Sequence, residues 1–157
     1  MKILNFIKFT TRIFSAFLLF LIVGTTFFQV IMRYLFNISY VWVEELAIWS
    51  MVWLVFLGSV LGVIEMAHPR IDFLVNRLPG KIKITVEIFT NLVCAIVVAI
   101  LTYYTLPLIK LNSNNISVGL QLPVSILYYS LLIGGALMTL FFVVTIYEKG
   151  KMLREGA

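Results

Sequence analysis

Arg33-Tyr34-Leu35-Phe36-Asn37-Ile38-Ser39-Tyr40-Val41-Trp42-Val43-Glu44-Glu45-Leu46 joins the end of one apolar run to the start of the next, with three charges at the edge of very apolar sequence. From Leu46 to Ile64 no residue is charged, a length that suits a membrane-spanning helix. Glu44 and Glu45 therefore fall in the first turns of such a helix, near the bilayer interface. A carboxylate there gains from the positive end of the helix dipole, but facing lipid it is costly, so protein, headgroup or water must surround it. At 100° per residue, Glu44, Ile48, Met51, Val55, Gly58 and Gly62 share one stripe, and Trp42, Glu45, Trp49 and Trp53 share a neighbouring one. Gly58-Ser59-Val60-Leu61-Gly62 is a GxxxG pattern, which lets a second helix approach closely. Trp42 fits an interfacial aromatic belt; Trp49 and Trp53 lie too deep for one.

Outward from this stretch, the composition sets the class. The chain has 157 residues, 62% of them hydrophobic, with a mean hydropathy of +1.06. A soluble domain carries roughly 45–50% apolar residues, so the chain reads as an all-α integral membrane protein. The formal net charge of +5 then concerns topology and anionic lipid, and no nucleic-acid partner is expected. The single cysteine, Cys94, lies in an apolar run, which excludes an intrachain disulfide and a cysteine metal cluster.

Four spans are expected in one membrane domain over 1–157, at about 13–33, 41–64, 87–109 and 124–147. The first follows a basic start and is longer than a signal-peptide core of about 7–15 residues, with no cleavage-site pattern after it, so it reads as a retained helix. Gln29 and Arg33 are one turn apart near its far end. Ser39 reads as an N-cap for the second span. Between the second and third, Pro69 to Pro79 holds Ile71, Leu74, Val75 and Leu78 at helical spacing opposite Arg70, Asp72, Asn76 and Arg77. That pattern predicts a short amphipathic helix at about 70–78, flat on the membrane surface. Asn91 is placed to hydrogen-bond a neighbouring helix, and Ser130 and Gly134 form a second small-xxx-small pair. Residues 111–123 form a polar, turn-rich linker, and Glu148 to Glu155 read as a solvated tail.

Counting Lys and Arg gives ten on the side of the two termini and the second connection, against Arg33 and Lys110 on the other. This asymmetry predicts both termini in the cytoplasm. Tyr34, Tyr40, Tyr103, Tyr104, Tyr128 and Tyr129 then gather at the opposite interface.

Several chemistries lack their residues. The only histidine, His68, is in a connection, so bis-histidine haem ligation inside the bundle has no ligands. There is no Ser/His/Asp set at membrane depth and no Gly-rich phosphate loop. No ionisable residue lies in the middle third of a span, which argues against a proton relay. No catalytic residue, cofactor or metal is expected. The pattern suits a scaffold or accessory subunit whose interfacial set of Arg33, Glu44 and Glu45, with Gln29 nearby, serves assembly. An intrachain contact of Arg33 with one of the two carboxylates is expected, leaving the other for headgroup, water or a partner. A rival reading is a self-sufficient homo-oligomeric channel or exporter with Glu44 and Glu45 ringing its mouth. A third is a membrane anchor for a redox enzyme, which the missing haem ligands weaken.

Arg33-Tyr34-x-Phe36, then Trp42-x-Glu44-Glu45-Leu46, an apolar helix reaching Gly58, and Ile71-Asp72-x-Leu74-x-x-x-Leu78-Pro79 together carry a resemblance. They resemble the small membrane subunit, DctQ type, of tripartite ATP-independent periplasmic (TRAP) transporters, and the likeness runs along nearly the whole chain, including Leu122-Pro123 before the last span. The resemblance implies a bacterial inner-membrane location and a stable pairing with a large membrane subunit that moves substrate and sodium. It also implies a periplasmic binding protein, met transiently, that delivers an organic acid such as a dicarboxylate or a sialic acid. In that reading the small subunit is not an enzyme; it braces the large one and widens its footprint among the lipids.

Overall fold

The chain is seen in a computed structural model that describes residues 2–64 and 80–154. Four helices account for nearly all of them: α1 Lys2–Phe36, α2 Val41–Ile64, α3 Gly80–Leu111 and α4 Ser125–Arg154. All four are long and apolar enough to cross a membrane. The reason is composition: with no water to receive backbone N–H and C=O groups, an apolar chain satisfies them within each segment. The expected amphipathic helix at about 70–78, and His68, lie outside the described residues.

The helices run past the apolar segments that announce them. α1 has 35 residues, about 52 Å at the usual rise per residue, and it takes in the basic start around Lys8 and Arg12. A long basic side chain does not end such a helix, because its stem can lie along apolar surface while its head stays in polar surroundings. α4 likewise absorbs the segment expected to be a solvated tail. Lys149 is buried there and forms an ion pair with Glu87 of α3, both side chains being largely covered. The tail expectation is overturned at Lys149, where a cation that meets a carboxylate on the facing helix is held in the protein rather than in water, while Glu148 and Lys151 are exposed.

The packing order differs from the chain order. α1 lies along α2, α2 against α4, and α4 against α3, and these are the broad contacts among the described residues. The helices stand in the row α1-α2-α4-α3. Burial follows position: 28% and 33% of the best apolar stretches of α2 and α4 are buried, against 11% in each of α1 and α3. The core comprises Val60 and Val63 of α2, Ala95 of α3, and Met138, Phe141 and Phe142 of α4, with Cys94 and Ile7 packed against it. Trp49 is buried, which explains an aromatic too deep for a belt.

Two adjacent glycines hold the middle of the row together. A Cβ on Gly134 would stand 2.9 Å from Phe56 Cβ and 3.2 Å from the Phe56 carbonyl oxygen, on α2. A Cβ on Gly135 would stand 2.1 Å from Thr102 Oγ1, on α3. Neighbouring positions on a helix point about 100° apart, so one glycine opens α4 to α2 and the next opens it to α3. Ser130, one turn before Gly134, is completely buried and returns its hydroxyl to the Leu127 carbonyl at 2.5 Å. The Ser130/Gly134 pair therefore lies on the packed side of α4, as its spacing predicts.

These contacts set two expectations. Gly134→Leu drives a side chain into backbone and should cost about 1–3 kcal/mol, read as a lower midpoint in thermal unfolding of the detergent-solubilised protein. Lys149→Met leaves Glu87 without this cation and should cost about 3 kcal/mol. Adding Glu87→Leu to Lys149→Met should restore part of that loss in the same melt.

Candidate functional site

The polar chemistry gathers at one end of the row, where the α1–α2 and α3–α4 connections meet. We call it the turn end; the opposite end carries the start of α1 and the end of α4.

The α1–α2 connection is a tight reversal. Asn37 ends α1 with φ of 55°, a left-handed conformation that asparagine tolerates better than most residues. The Ile38 N–H returns to the Met32 carbonyl at 3.1 Å. Four residues, Asn37 to Tyr40, suffice to start α2 at Val41. The Ser39 hydroxyl does not cap the α2 backbone amides as its position suggests; it takes a hydrogen bond from Gln29 Nε2 at 2.9 Å and faces Glu44 Oε1 at 3.5 Å. Gln29 Nε2 also donates to Glu44 Oε1 at 3.0 Å. Gln29, Ser39 and Glu44 thus form one cluster tying α1 to the first turns of α2. Gln29 Oε1 is buried and meets no donor.

The α3–α4 connection is a small hairpin. The Asn112 and Ser113 side chains donate to the Leu108 and Lys110 carbonyls at 2.9 Å each, closing the end of α3. This gives the Asn-rich linker its physical role, since the last carbonyls of a helix have no partner within it. Ser117 N–H donates to the Leu122 carbonyl at 2.9 Å and Val124 N–H to the Asn115 carbonyl at 2.8 Å, bracketing a bridge between Ile116 and Pro123. Gln121, at φ 56°, turns the chain back.

The tip of that hairpin docks on Glu45. The Gly119 and Leu120 amides donate to Glu45 Oε1 and Oε2 at 2.9 and 2.8 Å. Two successive N–H groups on the two oxygens of one carboxylate make a charge-assisted, two-point contact. Gly119 is what lets the tip come so near. A Cβ there would lie 2.7 Å from both Trp42 Cα and Trp42 N, atoms of the α2 backbone that cannot move aside. Trp42 itself is partly exposed, its ring 6.3 Å from that of Tyr40.

The remaining sequence candidates divide. Arg33 is exposed, and neither a hydrogen bond nor an ion pair of this chain reaches it among the described residues. The expected pairing of Arg33 with a carboxylate is therefore not formed. Backbone amides take both oxygens of Glu45, and Gln29 and Ser39 take one oxygen of Glu44; the arginine reaches neither acid. Asn91 donates to the Glu87 carbonyl of its own helix at 2.8 Å rather than to a neighbouring helix. Gly58 has nothing within 4 Å of a Cβ built on it, and Gly62 is partly buried. At Gly58 the GxxxG pattern meets no other helix among the described residues. Tyr103 and Tyr104 pack edge to face near the turn end, with Tyr34 exposed there as well.

Sequence reading had no way to pair Glu45 with residues 119 and 120, since a backbone amide has no side-chain signature. The only signal was a glycine within a polar linker. Glu87 with Lys149, and Gly135 with Thr102, were missed for a simpler reason: their meaning depends on which helices are neighbours.

Geometry and composition together define an all-helical, multi-pass membrane protein whose polar groups at the turn end join helices to one another. Comparison with known proteins gives the family. Residues 22–151 match the DctQ component of tripartite ATP-independent periplasmic transporters, and the chain belongs to that family. A putative TRAP transporter small permease protein of Haemophilus influenzae is 29% identical over 117 residues, covering 74% of this chain and 73% of the relative. A second such protein from that organism is 24% identical over 144 residues, 92% of this chain and 86% of its own length. The C4-dicarboxylate TRAP transporter small permease protein DctQ of Vibrio cholerae is 38% identical over 58 residues, which is 37% of this chain and 25% of that protein. The family is one of transporter membrane subunits.

The Glu45 contact yields a direct expectation. Glu45→Ala, and separately Gly119→Ala, should free the hairpin tip. Hydrogen exchange at the Gly119 and Leu120 amides should then accelerate about tenfold or more, while exchange in the middle of α2 and α4 stays unchanged. Exchange at the two tip amides that matches the wild type in both variants would show that the carboxylate does not hold the hairpin.

Proposed function

We propose that this chain is the non-catalytic scaffold of a sodium-driven, binding-protein-dependent importer of organic acids in a bacterial inner membrane. It pairs stably with the large membrane subunit, holds that subunit's static part in place, and offers surface to the periplasmic binding protein. Both termini lie in the cytoplasm, and the turn end faces the periplasm. The observation that carries the reading is where the polar groups go. Glu45, Gln29, Ser39 and the Asn-rich linker all join one part of the chain to another. A bracing element calls for this: rigid hairpins, close helix contacts, and wide apolar faces left to lipid and partner.

Several further points support particular parts of the proposal. The family supplies the transporter and, with it, the large subunit and the binding protein as the expected company. The relative named for C4-dicarboxylates makes an organic acid the substrate class to test first. The excess of Lys and Arg on the terminal side supports the orientation.

A tagged copy extracted gently from its native membranes tests the central claim. A large polytopic subunit should come with it in equal amount, and sodium-dependent uptake of an organic acid should fall to background when this chain is deleted. Recovery of this chain alone as a defined homo-oligomer, with flux through it in liposomes, would overturn the scaffold in favour of a channel.

A further inference from the structure

Glu44 differs from Glu45 in what is left open. Its Oε1 accepts from Gln29 and faces Ser39, which fixes the orientation of the group. Among the described residues its Oε2 accepts no hydrogen bond, and the residue is exposed. Among the described residues no cation pairs with it, Arg33 included.

Below Glu44, on the same stripe of α2, Ile48, Met51 and Val55 are 58%, 59% and 52% exposed. Gly58 continues the stripe with open space above it. The buried residues Trp49, Leu57, Val60 and Val63 lie on the other side of the helix. Exposed apolar side chains alone name no occupant, because α1 and α3 carry many as well. The oriented carboxylate at the head of this face does. An anion in the first turns of a membrane helix is costly against lipid, and Gln29 and Ser39 keep it from swinging freely. Its complement is a cationic side chain at the same depth on a helix lying along α2, with Gly58 admitting close approach. A second copy of this chain packed symmetrically through this face would set two Glu44 carboxylates against each other, which repels.

We infer that the α2 face from Glu44 through Met51 to Gly58 seats a transmembrane helix of the large transporter subunit, with a lysine or arginine of that helix paired to Glu44. This rests on the reading of the chain as a transporter subunit.

The test uses the co-produced complex. A photoreactive benzoyl-phenylalanine is introduced singly at Ile48, Met51 and Val55, and at Phe20 of α1 and Ile96 of α3 as exposed controls. Adducts with the large subunit are expected from the three α2 positions and not from the controls. Adducts with lipid only, or with a second copy of this chain, at Met51 and Val55 would overturn the inference. The transporter reading would survive that result as long as the large subunit still co-purifies with the wild type. Absence of any large subunit from the wild-type extract would bring down both. Glu44→Lys should lower recovery of the large subunit about tenfold, and Glu44→Gln by less. Replacing the cation of the cross-linked helix with glutamate should restore recovery in Glu44→Lys. Full recovery of the large subunit with Glu44→Lys would remove the charge pair from the interface.

Discussion

The two-point bond from Glu45 to the amides of Gly119 and Leu120 fixes how the halves of this chain meet. α1 with α2, and α3 with α4, are hairpins of local sequence, and each would form from its own turn. What joins them is the α2–α4 contact, which the core around Val60, Val63, Met138, Phe141 and Phe142 fills and two further features tighten. In the middle, Gly134 brings the α4 backbone against Phe56. At the turn end, Glu45 takes the tip of the second hairpin onto the first turns of α2. In hydrocarbon there is no hydrophobic drive to press helices together, so close packing and hydrogen bonds must do it. Glu87 with Lys149 adds the equivalent tie between α3 and α4 at the terminal end.

This arrangement makes sense of the two adjacent acids. Adjacent helical positions point 100° apart, so Glu44 and Glu45 serve different neighbours. Glu45 turns to the α3–α4 hairpin, and Glu44 turns to α1 through Gln29 and Ser39. Both carboxylates thereby stitch the ends of three helices through one short segment of sequence. Arg33, the charge that sequence alone would set against them, stays exposed and pairs with neither among the described residues.

Much of the fold was legible in the chain and part of the site was not, and the difference has a physical basis. Membrane helices announce themselves because an apolar stretch of about 20 residues has few other fates. Leu46 to Ile64 and Val124 to Tyr147 needed no structure to be read. Their ends were less clear: Lys8 and Arg12 before the first apolar run, and Lys149 after the last, are helical because a charge at the interface does not stop a helix. The partners of Glu45 were hidden because they are main-chain groups. Asn91 read as a bridge between helices, yet its own helix offers a carbonyl one turn away, which is the nearer acceptor. The two small-residue pairs looked alike in sequence. Gly134 meets Phe56 of α2 and Ser130 is buried beside it on α4, whereas Gly58 opens onto free space, and spacing carries no sign that separates the two cases.

The separation along the chain between Glu45 and its partners, 74 and 75 residues, has a consequence for the order of synthesis. When α2 enters the bilayer, the amides that will hold Glu45 have not yet been made. The carboxylate must wait through the insertion of α3 without them. At mid-depth that wait would be in hydrocarbon and would oppose insertion. In the second turn of α2, at the edge of the apolar stretch, headgroups and water would solvate the acid until the second hairpin arrives. The position of this residue thus suits a protein assembled one hairpin at a time, with the joining bond made last.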